Sequence, residues 1–183
     1  MATWLLTSTT YGTWLPGDLR RSVTSVRERR DDEAFSGSRR EHDLPGTAYE
    51  IGMPGLQRSA AARMKGPRVL LSGAQAQRLL DQLRETARHR HATLHAAAIM
   101  ANHFHLIVTA DDHVEPGKLL GDLKSYGSRV LNEAFGQPRS GTWWTARGSK
   151  RKLPDNAAIA SAINYVLHRQ PNPLAIWSPN QKS

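Results

Sequence analysis

The stretch "IMANHFHLIV", residues 99–108, decides how this chain is read. Its branched and aromatic residues make a buried strand, yet two histidines flank its one phenylalanine. Side chains at i and i+2 of a strand share a face, so His103 and His105 project together. Phe104 and Leu106 enter the core on the opposite side. Two adjacent imidazoles can hold one divalent cation and leave positions for a third ligand and substrate oxygens. The spacing alone is also compatible with two hydrogen-bonded surface histidines. His89, His91, His95 and His113 lack this converging geometry.

Working outward, "ATLHAAAIM" precedes this strand and joins it through a tight "ANH" connection, a hairpin. "TWLLTSTT", residues 3–10, reads as a first strand, broken by the glycine and proline of "YGTWLPGD". "SGAQAQRLLDQLRETARHRH", 72–91, predicts a helix with Ser72 as N-cap and Leu79, Leu80 and Leu83 on its apolar stripe. "EPGKLLGDLKSYGSRVLNEAFG", 115–136, predicts a second helix with Leu119, Leu123, Tyr126 and Val130 at helical spacing. "TWWTARGSKRKL", 142–153, is strand-like and basic, and "PDNAAIASAINYVLHRQ", 154–170, makes a last helix that opens on proline. "PNP" stops it. The order is that of an α+β, ferredoxin-like antiparallel sheet with helices on one face, plus a C-terminal helix bearing a tyrosine. The arginine- and acid-rich text from about 20 to 68 shows no period and reads as a long mobile insertion in a single domain, 1–183.

The chain has 183 residues and no cysteine, which excludes disulfides and thiolate metal sites. Its start resembles no secretory leader, and no apolar run reaches the length of a membrane span. A cytoplasmic protein that touches no membrane is the expectation. A net charge of +9 favours a polyanionic partner, nucleic acid before others. A basic surface without such a partner is the plainer alternative.

"MANHFHLIV" resembles the His-hydrophobe-His strand of the single-tyrosine HUH transposases, the insertion-sequence-200-like enzymes and REP-associated tyrosine transposases. "TSTTYGTWLPGD" resembles the opening strand and turn of one bacterial branch of that group, "LKSYGSRVLNEAF" the helix after the histidine strand, and "WWTARGSKRKL" with "INYVLHRQ" the closing strand and tyrosine helix. The resemblance covers most of the chain outside 20–68. It implies a ferredoxin-like domain whose two histidines and a third polar side chain hold Mg2+ or Mn2+ at a scissile phosphate. It further implies single-stranded or hairpin DNA as substrate, and attack by a tyrosine that leaves a 5′-phosphotyrosine and a free 3′-hydroxyl. A homodimer is compatible with it.

Two tyrosines contend for that role. Tyr126 continues an apolar stripe, which argues for a core-facing ring. At about 100° per residue, Tyr165 lies roughly 130° from the face marked by Ile159, Ile163 and Val166, beside Ser161, His168 and Arg169. The family also carries its tyrosine in the last helix, so Tyr165 is the expected nucleophile and Tyr126 the alternative. Some relatives complete the metal site with an amide four positions beyond the tyrosine. Here Arg169 stands there, so His168 is the expected third ligand and Gln170 its alternative.

Lys118, Lys124, Arg129, Arg147, Lys150, Arg151 and Lys152 form a basic segment beside Trp143 and Trp144. Cations interleaved with aromatics suit a groove that follows phosphates and stacks bases. Strand alternation buries one tryptophan and leaves the other, Trp143, as the stacking candidate. The sequence therefore predicts a metal-dependent single-stranded DNA nuclease or transposase. A non-cleaving binder on the same fold and a small metal-dependent hydrolase are its competitors.

Overall fold

The histidine hairpin lies at the middle of the sheet. The computed structural model describes residues 1–18 and 54–179, and most of the expected mobile insertion lies outside them. Its nine elements are β1 (Ala2–Thr9), α1 (Pro54–Ala62), α2 (Gly73–His89), β2 (Thr93–Ile99), β3 (His103–Ala110), α3 (Pro116–Phe135), β4 (Ser149–Leu153), α4 (Asn156–His168) and β5 (Ala175–Trp177). The strand order is β4-β1-β3-β2-β5, and each pairing is antiparallel. The first four strands have the ferredoxin-like order. The short β5 extends the β2 edge, an element the text after "PNP" did not predict.

The described residues belong to two compact units, Met1–Thr13 with Lys65–Ser183, and Trp14–Met64. The smaller unit holds α1, a helix inside the stretch read as loop, none of whose residues is buried. In the larger unit, Val69 and Leu71 are buried and their amides donate to the Tyr11 and Ala101 carbonyls, which ties the extended piece in "MKGPRVLLS" to the domain.

Alternation along the strands builds two apolar layers. Leu6, Phe104, Leu106 and Val108 face α2 and α3, where Leu79, Leu83, Leu119 and Leu123 complete the main core. Leu5, Ile107, Ala96 and Ala98 face α4, which contributes Val166, Ile159 and Ile163. Thus α2 and α3 cover one face, and the tyrosine helix covers part of the other. Ser72 caps α2 through a reciprocal pair: its hydroxyl accepts from Gln75 N, and Gln75 Oε1 accepts from Ser72 N. Asp155, one residue beyond the proline expected to open the helix, caps α4 by accepting from Ala158 N at 2.7 Å.

The segment 142–148 is not the extended strand its composition suggested. It closes on β1 through a bridge between Thr10 and Trp144, and β4 begins only at Ser149. Gly148 makes that close approach possible: a Cβ there would lie 2.6 Å from Thr7 O and 2.7 Å from Leu120 Cδ2. Gly148→Ala is therefore expected to destabilise the protein by about 1–3 kcal/mol through overpacking. A urea midpoint equal to that of the parent would show that β4 can move away from β1 freely.

Candidate active site

Antiparallel pairing of β1 with β3 sets Thr7 opposite His105 and Thr9 opposite His103, all on the face that α4 shares. The two imidazole centroids are 4.8 Å apart at an interplanar angle of 79°. His105 Nδ1 lies 2.7 Å from Thr7 Oγ1, and His103 Nδ1 lies 2.7 Å from Asn102 Oδ1. The i, i+2 spacing does bring the rings together.

Tyr165 meets this pair from α4. Its ring centroid is 5.6 Å from that of His105, and it remains 44% exposed because the adjacent Val166 takes the core position. The helix ends at His168, and the chain turns back so that Gln170 Nε2 donates to the Tyr165 carbonyl at 3.2 Å. The Gln170 side chain also comes near the His103 ring and raises its pKa slightly. One face thus gathers two imidazoles, a phenol and a carboxamide.

Burial sets the protonation of the pair. His105 is 8% exposed; desolvation, helped by the charge of His103, lowers its pKa to about 3. Desolvation also lowers His103, against a smaller opposing effect from the neighbouring Gln170 side chain. Both rings are neutral near pH 7. The unfolded chain takes up a proton near pH 6.5 that folded His105 refuses until about pH 3. The stability carried by the neutral ring is complete above pH 6.5 and is lost as pH falls through that window, by up to about 1.4 kcal/mol per pH unit. In chelator, the urea midpoint should fall between pH 7 and pH 5, and less steeply in His105→Gln. Equal slopes in the two proteins would show that His105 protonates without cost.

The other expected residues are distributed differently. His168 is exposed, and among the described residues no three His, Cys, Asp or Glu side chains come together to hold a metal. The amide that turns toward the pair is Gln170, because the helix stops before it. Tyr126 is not a core residue: it is 37% exposed, with the Arg90 and Arg129 guanidinium carbons 5.9 Å and 5.3 Å from its ring centre. Its stripe edges out of the core because Gly127 takes the buried position.

The basic segment splits between two faces. Arg151 pairs with Leu5 and shares the histidine face, whereas Lys150 and Lys152 pair with Leu6 and Trp4 and point to the α3 side. Lys118 and Arg147 are exposed. Lys124 is committed to the fold, its Nζ donating to the Thr145 and Arg147 carbonyls at 2.7 Å and 2.6 Å. Burial lowers its pKa to about 8. Trp143 and Trp144 are both buried, correcting the expectation of one stacking ring. Their Nε1 atoms donate to Asn132 and to Ser128 and the Lys124 carbonyl, so the indoles anchor the loop to α3. Strand alternation fails at this dipeptide because the segment is not a strand. The sequence reading passed over Thr7 and Asn102, although threonine at alternate positions of a strand is a legible signal.

A family model described as "Transposase IS200 like" matches residues 60–165, which include the histidine strand and end at Tyr165. Among solved structures, one of a REP-associated tyrosine transposase bound to a REP hairpin is 11% identical with a TM-score of 0.49. The alignment covers 90% of this chain and 64% of that one, so the chain spans less than two thirds of that protein. Another, called a "putative transposase" from Deinococcus radiodurans R1, is 18% identical with a TM-score of 0.45, covering 90% of this chain and 87% of that one. No curated protein matches.

Proposed function

The chain belongs to the IS200-like transposase family, and from the geometry of its site we propose that it cuts single-stranded or hairpin DNA through a covalent tyrosine intermediate. The observation that carries this reading is the Tyr165 ring, exposed and 5.6 Å from that of His105. A phenol held at the rim of a polar site is a competent covalent nucleophile. Its oxygen forms a bond to the scissile phosphorus as the bond from phosphorus to the 3′ oxygen breaks. The phenolic proton is balanced by the proton gained at the 3′-hydroxyl, and the phosphate stays on Tyr165 at the 5′ end.

The donor set fits a hard or borderline divalent cation. Two neutral imidazoles lie side by side and need shed no proton, and an amide oxygen is available at Gln170. His103, His105 and Gln170 would hold Mg2+ or Mn2+, whose chemistry there is neutralisation of charge on the phosphate oxygens. Tyr165 is kept at the pair by Val166 beneath it and by the turn that ends α4. Arg151, exposed on the same face, is placed to pair with a neighbouring phosphate.

The test is a covalent product. With Mn2+ and a labelled library of hairpin oligonucleotides, the protein should yield a DNA adduct that survives denaturation. DNA binding without adduct across the library would favour the non-cleaving binder, and absence of DNA binding would favour the small hydrolase. Affinity should fall steeply with salt as counterions are released. Arg151→Ala is expected to reduce the slope of log affinity against log salt by about 1, and the Lys150→Ala, Lys152→Ala pair to leave it unchanged. The opposite ranking would put the DNA track on the α3 side.

A further inference from the structure

We propose that the opening motif "TSTTYGT", residues 7–13, together with Asn102, sets the tautomer of both histidines, making Thr7 and Asn102 positioning residues of the metal site. The inference rests on the reading that His103 and His105 hold a cation.

The motif makes no contact that the proposed chemistry uses, yet it surrounds the base of the histidine strand. The Asn102 carbonyl accepts from Thr10 N at 2.9 Å, and the Thr10 and Thr13 hydroxyls lie 3.1 Å and 3.2 Å from it. Met100 N closes the same turn on the His103 carbonyl at 2.8 Å. Thr10 is fully buried and also donates to the Val69 carbonyl at 2.7 Å, so the bracket is tied into the core. The residue that precedes His103 is thereby fixed in place. Its side chain then reaches the ring: Asn102 Oδ1 is 2.7 Å from His103 Nδ1. A carboxamide oxygen has no proton to give, so the proton of that bond belongs to Nδ1 and leaves Nε2 a bare lone pair.

Thr7 stands in the same relation to His105, its Oγ1 2.7 Å from Nδ1 across the β1–β3 pairing. A hydroxyl can give or accept. Two rings bind one cation through like nitrogens only if both carry their protons at Nδ1, and Thr7 is the acceptor placed for it. Thr7 from the opening motif and Asn102 held by it thus anchor the two inner nitrogens and turn both Nε2 atoms away from the anchors. Because a fixed hydrogen bond at one ring nitrogen determines ligation at the other, this arrangement governs metal affinity without touching the metal.

The experiment has two readouts, neither of which needs DNA. In the chelated protein near pH 7.5, two-bond proton–nitrogen spectra should show both rings protonated at Nδ1. In Thr7→Val, His105 should shift toward the Nε2-protonated form while His103 keeps its pattern. By titration, Mn2+ affinity should fall roughly 10- to 100-fold in Thr7→Val and in Asn102→Leu. Thr7→Ser and Asn102→Asp, which keep an acceptor, should hold it near that of the parent, a rescue that simple loss of packing would not produce. Protonation of either parent ring at Nε2, or unchanged affinity in both apolar variants, would overturn the assignment. A protein with these tautomers and affinities that forms no DNA adduct would instead overturn the nuclease reading alone.

Discussion

Tyr165→Phe is expected to lower covalent adduct formation by at least about 1,000-fold while leaving DNA affinity and thermal stability close to those of the parent. Only the phenolic oxygen is removed. The ring is 44% exposed, and the helix is held by Val166 and its neighbours, so little packing energy is at stake. The remaining site could still bind and orient DNA but would offer no oxygen to accept the phosphate. Tyr126→Phe should keep adduct formation near the parent rate, since that ring lies on α3, across the sheet from the histidines, between Arg90 and Arg129. Gel analysis of labelled hairpin DNA after denaturation reads both variants. An adduct that persists in Tyr165→Phe and disappears in Tyr126→Phe would reverse the assignment.

The second large effect concerns the cation. His103→Ala with His105→Ala should abolish saturable Mn2+ binding, because among the described residues no three His, Cys, Asp or Glu side chains come together elsewhere to take the pair's place. Gln170→Ala should weaken binding by at least roughly 10-fold, since it removes the oxygen proposed as third ligand, a larger change than loss of a group that only orients a ligand. His168→Ala should leave it unchanged, since His168 is exposed and Gln170 is the side chain that comes near His103. Titration calorimetry with a circular-dichroism check of the fold separates these cases. Strong loss in His168→Ala with none in Gln170→Ala would return the third position to the histidine. Zn2+ should bind the imidazoles more tightly than Mn2+ in every functional variant, so tight zinc binding does not identify the working ion.

The protonation of the pair connects these two results. Burial lowers the pKa of both rings, that of His105 to about 3, so the pair is less readily protonated than free histidines as pH falls toward 6. Metal affinity should therefore fall less between pH 8 and pH 6 than it would for two exposed histidines. In an exposed pair, protonation near pH 6.5 would compete with the ion.

Local periodicity carried much of the fold. The alternation in "HFHLIV" put the histidines on one face and Phe104 and Leu106 in the core, because a strand allows no other arrangement. Capping chemistry at Ser72 and the helical stripes around Leu79 and Leu123 located α2 and α3 in the same way. The off-stripe position of Tyr165 was visible too, since it follows from a rotation of about 100° per residue.

What neighbours decide was not visible. Trp143, expected to stack on bases, is buried because α3 supplies Asn132 as a partner for its N–H. Lys124, expected on phosphate, is spent on two carbonyls of the loop before β4. Lys150 and Lys152 part from Arg151 because the pairing of β4 with β1, a contact between residues distant in sequence, determines which face each one meets. Gln170 supplants His168 beside the pair because the helix stops at His168 and the chain folds back. Sequence periodicity determines the direction of a side chain within its own strand or helix; only the tertiary structure determines what stands opposite, because strand register, helix ends and buried hydrogen-bond partners come from residues far along the chain.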